Sequence, residues 1–145
     1  MNRRTITRGI LCVLASLGLW TATASADEVV FARDLSLSPD GKTLAFTWAD
    51  DIWTVGIDGG TAQRLTSHPA RDARPVWSRD GQRIAFASDR YGSANLFVMN
   101  RDGNELVRLT FDDAAAAPTD WSLDNSEVYF HSRKEAHAFW EPMSY

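Results

Sequence analysis

The chain lacks much of what a small exported or catalytic protein relies on. It has one cysteine, Cys12, so it can form neither an internal disulfide nor a thiolate metal site. It has three histidines, His68, His131 and His137, which leaves few candidates for a metal centre. No apolar run reaches the roughly 20 residues that a membrane-spanning helix needs. Basic residues are outnumbered, 15 Lys and Arg against 19 Asp and Glu, for a net charge of −4. That balance argues against nucleic acid and anionic membrane surfaces, both of which favour a basic face.

The longest apolar stretch, residues 10–20, is preceded by Arg3, Arg4 and Arg8 and followed by the small residues Ala24-Ser25-Ala26. A positive start, a short apolar segment and a small-residue site make a secretory signal peptide over residues 1–26, cleaved before Asp27. An uncleaved membrane anchor is the alternative. The Arg3-Arg4 pair raises twin-arginine export, but its surroundings fit that signal only in part. Leu11, before Cys12, is too large for a lipoprotein cleavage site. The expected location is an exported compartment, the periplasm, with no membrane contact after cleavage. Removing 26 of the 145 residues leaves 119, with 12 basic and 19 acidic side chains and a net charge of −7. With no thiol left, the mature chain must be held by packing alone.

One short phrase occurs three times. Leu37-Ser38-Pro39-Asp40-Gly41-Lys42-Thr43-Leu44-Ala45-Phe46 returns as Trp77-Ser78-Arg79-Asp80-Gly81-Gln82-Arg83-Ile84-Ala85-Phe86. It returns again as Trp121-Ser122-Leu123-Asp124-Asn125-Ser126-Glu127-Val128-Tyr129-Phe130. The serines are 40 and 44 residues apart. Repeats of that length, made of short strands and tight turns, mark β-propeller blades. The four-residue difference lies in one loop: Phe46 to Trp53 spans 7 positions and Phe86 to Phe97 spans 11. The expected fold is all-β, a partial propeller of about two and a half four-stranded blades. The mature segment 27–145 divides into blade one at about 35–66, blade two at about 75–110 and a partial blade three at about 119–145.

In the second copy, strands are expected at residues 75–77, 83–87, 95–99 and 105–109, with Ile84 and Phe86 on one face. The turn residues have defined tasks. Pro39 presets φ, Asp40 and Asp80 bind local backbone, and Gly41 and Gly81 supply the left-handed position. In the third copy Asp124 keeps the first role, and Asn125, which tolerates left-handed backbone, takes the second. Residues 114–117 are alanines before Pro118, for which a loop or single turn is expected rather than a helix.

These phrases, with Asp58-Gly59-Gly60, Arg64-Leu65-Thr66, Asp102-Gly103 and Arg108-Leu109-Thr110, resemble the β-propeller repeat of TolB-type proteins and tricorn-type peptidases. The resemblance covers roughly residues 35–133. Asp51-Ile52-Trp53-Thr54-Val55 and Ser88-Asp89-Arg90-Tyr91-Gly92, with a first blade directly after the leader, are more similar to the tricorn-type branch. In that family a non-catalytic propeller guides peptides toward a serine-peptidase site in later domains. By resemblance the chain is the front of such an enzyme, cut short, and carries none of the catalytic parts. The alternatives are a TolB-type periplasmic protein-binding module and a fragment with no activity of its own. The implied partners are a peptide or protein ligand, and the further blades or carboxy-terminal domains that the segment lacks.

No residue here is assigned to catalysis, a cofactor or a metal. Ser38, Ser78 and Ser122 share one turn position, as a structural role requires, and no Gly-x-Ser-x-Gly elbow is present. His131, His137 and Glu135 lack metal-ligand spacing and a third partner. Linker residues His68 and Asp112, which share a repeat position, and loop residue Tyr91 are the candidate peptide contacts, against a plain role as solvated loop side chains. Asp89-Arg90 reads as part of an ion pair pinning the longer loop. Asp112-Asp113 reads as a solvated charge pair that could also attract a peptide amino end. Trp77 and Trp121, and Trp53 and Phe97, hold matched positions and are expected to fill the space between blades. Trp48, Tyr91 and Trp140 fall off that pattern and are the aromatics free for stacking. Two and a half blades leave an apolar face and a strand edge open, which calls for further blades or self-association.

Overall fold

The computed structural model describes residues 31–133 and 143–144. Expectations for the leader and for Glu135, His137 and Trp140 lie outside the described residues.

The described chain is all strand. β1 (Arg33–Leu37), β2 (Thr43–Trp48), β3 (Asp51–Gly56) and β4 (Gln63–Arg64) form a four-stranded antiparallel sheet in sequence order. β5 (Asp72–Trp77), β6 (Arg83–Ser88), β7 (Asn95–Asn100) and β8 (Val107–Arg108) form the second. β9 (Ala116–Trp121), β10 (Glu127–Ser132) and β11 (Met143–Ser144) form a third, three-stranded one. Each is a meander of neighbouring strands.

The sheets stack face to face, so the middle one is covered on both sides. Alternation along β6 and β7 sends Ile84, Phe86, Phe97 and Met99 toward the first sheet, where they pack with Trp77, Ala45 and Ile52. Ala85, Leu96 and Val98 point the other way and pack with Leu109, Ala116, Trp121 and Val128. Residues 84–88 and 95–99 are therefore buried without a break, as in strands covered on both faces. Each fully buried Ile, Leu or Phe adds about 1.5–3 kcal/mol. Among the described residues, the first and third sheets each pack against one neighbouring sheet, the middle one. Leu35 and Leu37 are 63% and 51% exposed on β1, where the matched residue Trp77 is 5% exposed.

The first strand of each sheet carries a bulge. Ala73 pairs Ala87 and Val76 pairs Ala85, so Arg74 and Pro75 oppose Phe86 alone, with Arg74 at φ 57°. Asp34, 40 residues earlier, has φ 51° at the same kind of irregularity in β1. The proline at the matching third position, Pro118, cannot take a positive φ, and there the register shift leaves Thr119 unpaired.

These bulges lengthen the inner strands beyond the sequence expectation: β5 begins at Asp72 rather than Pro75. The expected loop at 114–117 is corrected too, because Ala116 and Ala117 are strand residues. The Ala116 N–H is bound by Ala94 O at 2.8 Å, and both alanines are buried. Tertiary pairing thus overrides the local preference of alanine. The fourth strand is shorter than expected, Val107–Arg108, because Glu105 at φ 52° still belongs to the turn.

Candidate functional site

A meander stack has two ends. At one, which we term the turn end, lie the turns after the first strand of every sheet and after the third strand of the first two. At the other, the linker end, lie the hairpins between the second and third strands of the first two sheets and the linkers that join sheets.

The turn end is built three times over. Ser38, Ser78 and Ser122 each donate a hydroxyl to the carboxylate two residues on, Asp40, Asp80 and Asp124, at 2.6 Å. The same hydroxyl accepts the N–H five residues on, from Thr43, Arg83 and Glu127, at 2.9 Å. The aspartates accept the N–H of Lys42, Gln82 and Ser126. Gly41, Gly81 and Asn125 hold φ at 71°, 67° and 63°. Pro39 sits beside the neighbouring blade's turn, 3.5 Å from where a Gly81 Cβ would stand. The serine hydroxyl in each copy lowers its aspartate below the ordinary 3.8. Asp124 falls furthest, to about 2, because Ser122 and then Ser126 both donate to it. A cavity of about 330 Å³ lies between the first two turns, lined by residues 38–40 and 80–82 and by Arg101. These serines are tied into turns rather than poised beside a histidine base. Among the described residues, no three His, Cys, Asp or Glu side chains are grouped to hold a metal ion.

The linker end is laced by backbone bonds between blades. Asp72 N–H reaches Asp50 O at 2.7 Å, and Ala116 N–H reaches Ala94 O at 2.8 Å. His68, Tyr91 and Asp112 all lie at this end, the first and last in linkers and Tyr91 in the longer hairpin loop. His68 is exposed and accepts the Ala70 N–H on Nδ1 at 3.0 Å. Asp112 accepts the Ala114 N–H at 3.2 Å. Tyr91 is 66% exposed. Trp48 is also here, edge-on to Trp53 at 5.0 Å, and its carbonyl accepts the Trp53 indole N–H.

Tyr91 ends a column that begins in the core. Phe86 and Phe97 lie 5.8 Å apart with planes 26° from parallel, and Phe97 and Tyr91 lie 6.3 Å apart at 11°. The Arg108 guanidinium stands 4.4 Å from the Tyr91 ring and 4.7 Å from that of Phe111, which is 72% exposed. Arg90 runs beside the column, over Phe86 and Phe97. Its ion-pair partner is Asp72 at 2.6 Å, not the adjacent Asp89, which instead accepts the Arg71 N–H.

Arg108 was missed in the sequence reading, as were Phe111, Asn95 and Asp72. Three of them do leave a signal when the repeats are aligned 44 residues apart. Arg64 matches Arg108, and each donates Nε to a threonine carbonyl, Thr66 and Thr110, at 2.7 Å. Asp51 matches Asn95, and Ser67 matches Phe111. Arg64 is paired with Asp51 at 2.6 Å. Asn95 instead accepts the Thr110 hydroxyl at 2.9 Å and donates to Ser93 O and Asp112 O. Asp72 matches Ala116 and leaves no such mark.

Comparison with known proteins agrees with this architecture. Residues 23–145 match the model of the tricorn protease N-terminal β-propeller domain. The uncharacterized peptidase YuxL of Bacillus subtilis is 29% identical over 118 residues, 72% of this chain and 18% of that protein. The Tol-Pal system protein TolB of Wolinella succinogenes is 39% identical over 86 residues, 57% of this chain and 20% of its own length. A solved structure of a TolB candidate from Agrobacterium tumefaciens superposes with a TM-score of 0.68 at 27% identity. That match covers 77% of this chain and 42% of the other. The chain thus spans about a fifth of these two curated relatives.

Proposed function

Because this chain belongs to the tricorn protease N-terminal β-propeller domain family, we propose that it is an exported, non-catalytic propeller segment that binds peptides and guides them toward a peptidase site elsewhere. One observation carries this reading. The linker end brings exposed Tyr91 and Phe111 to Arg108, with Tyr91 stacked on the core ring of Phe97. Aromatic and guanidinium groups held by a packed scaffold are the usual anchors for extended chains. The peptidase relative supports the lineage. In this reading further blades pack beside the first and third sheets, and would also carry the chain toward any catalytic domain.

A second reading, a TolB-type module that binds a folded protein in the periplasm, is favoured by the likeness to TolB. Both are tested on the chain expressed with its own leader and recovered from the exported fraction. Mass spectrometry should give a chain starting at Asp27, and light scattering its assembly state. Fluorescence anisotropy with labelled, unstructured casein peptides should show saturable binding and no cleavage products. Binding that needs a folded protein and ignores peptides would favour the second reading, and binding of neither would remove both.

A further inference from the structure

Three differences between the first two sheets converge on one arginine. The asparagine at 95 removes the carboxylate that holds the matched Arg64. The longer hairpin loop brings Tyr91 to one side of Arg108, and Phe111, in place of Ser67, comes to another. Arg108 keeps its Nε bond to Thr110 O, so its terminal nitrogens form the open edge. Among the described residues no carboxylate is within ion-pair distance of it. Asn95 makes its three bonds elsewhere. The guanidinium is thus half-buried beside two exposed rings, presenting the terminal nitrogens of which one, in the first sheet, is paired with Asp51.

We infer that Arg108, Tyr91 and Phe111 form a subsite for a carboxylate of the bound chain, which meets the terminal nitrogens of Arg108 from the solvent side, the place of Asp51 being filled by the buried Asn95 amide. This deepens the peptide-binding reading and rests on it. The planar fork matches a carboxylate in bidentate geometry. Flanking rings exclude water from the pair and hold the guanidinium in plane, so less ordering is left to occur on binding. The carboxylate has two sources, an Asp or Glu side chain or the chain terminus, which share this chemistry.

The test uses labelled peptides that differ only in Glu against Gln, or in a free against an amidated carboxy terminus. With the exported protein, the peptide carrying the recognised carboxylate should bind about tenfold tighter than its neutral twin. Whichever pair shows the difference identifies the source. Arg108→Gln should erase the difference between the charged peptide and its neutral twin. Asn95→Asp, which leaves Arg108 in place and restores an internal carboxylate, should erase it as well, and decides the matter if Arg108→Gln does not fold. Equal affinities in the natural protein, or a preference that survives in a folded variant, would overturn the subsite. Should no peptide bind, the functional reading fails, and glutarate decides the subsite by itself. A saturable shift of the Arg108 Nε–H NMR signal on glutarate addition upholds it, and an unmoved signal rejects it.

Discussion

The carboxylate of Asp72 and the guanidinium of Arg90 meet at 2.6 Å beneath the longer loop, with the Asp72 side chain fully buried and that of Arg90 11% exposed. Arg90 also bonds Ser88 Oγ at 3.0 Å and lies over Phe86 and Phe97. The pair fastens the base of the aromatic column to the inner strand β5. Asp72→Ala would strand the cation against two rings, at a cost of about 3–5 kcal/mol. Removing both charges, Asp72→Ala with Arg90→Met, should recover part of that loss. Urea unfolding of the two variants checks the order.

Trp77 and Trp121 fill matched positions between blades but differ at the indole nitrogen. Trp121 Nε1 donates to Val76 O at 3.1 Å, whereas the buried Trp77 Nε1 has no partner. Trp121→Phe loses that bond, a cost of about 0.5–1.5 kcal/mol beyond the lost packing. Trp77→Phe sheds an unsatisfied donor and should cost less. Equal unfolding midpoints for the two variants would contradict this.

Gly41 and Gly103 both have positive φ, 71° and 87°, yet their surroundings differ. A Cβ on Gly41 would meet nothing within 4 Å, while one on Gly103 would stand 2.8 Å from Leu65 O. Gly41→Ala should cost about 1–2 kcal/mol of backbone strain. Gly103→Ala should cost more, since the backbone of the adjacent blade must also shift. Thermal unfolding of the pair measures the gap.

The Asp124 carboxyl is held at about 2 in the folded chain, against an ordinary 3.8, chiefly by the Ser122 hydroxyl. A lowered folded value means that this turn's contribution is complete above about pH 4 and is lost as pH falls toward 2. Asp40 and Asp80 are shifted in the same direction, with Ser38 and Ser78 as the leading causes. Ser122→Ala should raise the Asp124 titration toward the ordinary value. The side-chain carboxyl carbon, followed by NMR, reports it directly.

The turns were legible because their chemistry is local. Ser38, Asp40 and Gly41, and their two later copies, close bonds spanning two to five residues. A bond that short depends on the residues in the phrase and on little else. The 40- and 44-residue spacing likewise located the loop that grew, and the tricorn-type resemblance agrees with the family match. The alternation of Ile84 and Phe86 with Ala85 predicted opposite faces, and both faces are buried.

Position 72 shows where that legibility ended. Asp72 reads like any acidic linker residue, and its partner Arg90 lies 18 positions away in the loop after β6. The strand at Ala116 and Ala117 exists because Ala94, His131 and Ser132 accept or pair with it, not because alanine prefers to be extended. Arg108 is one arginine of a repeated Arg-Leu-Thr until folding brings Tyr91 and Phe111 beside it. The sequence by itself determined the repeat, the turns and the alternating faces, since those depend on neighbours within one hairpin. Tertiary structure decided the ion pair, the lengthened inner strands and the open arginine, because each depends on contacts with other strands or other blades.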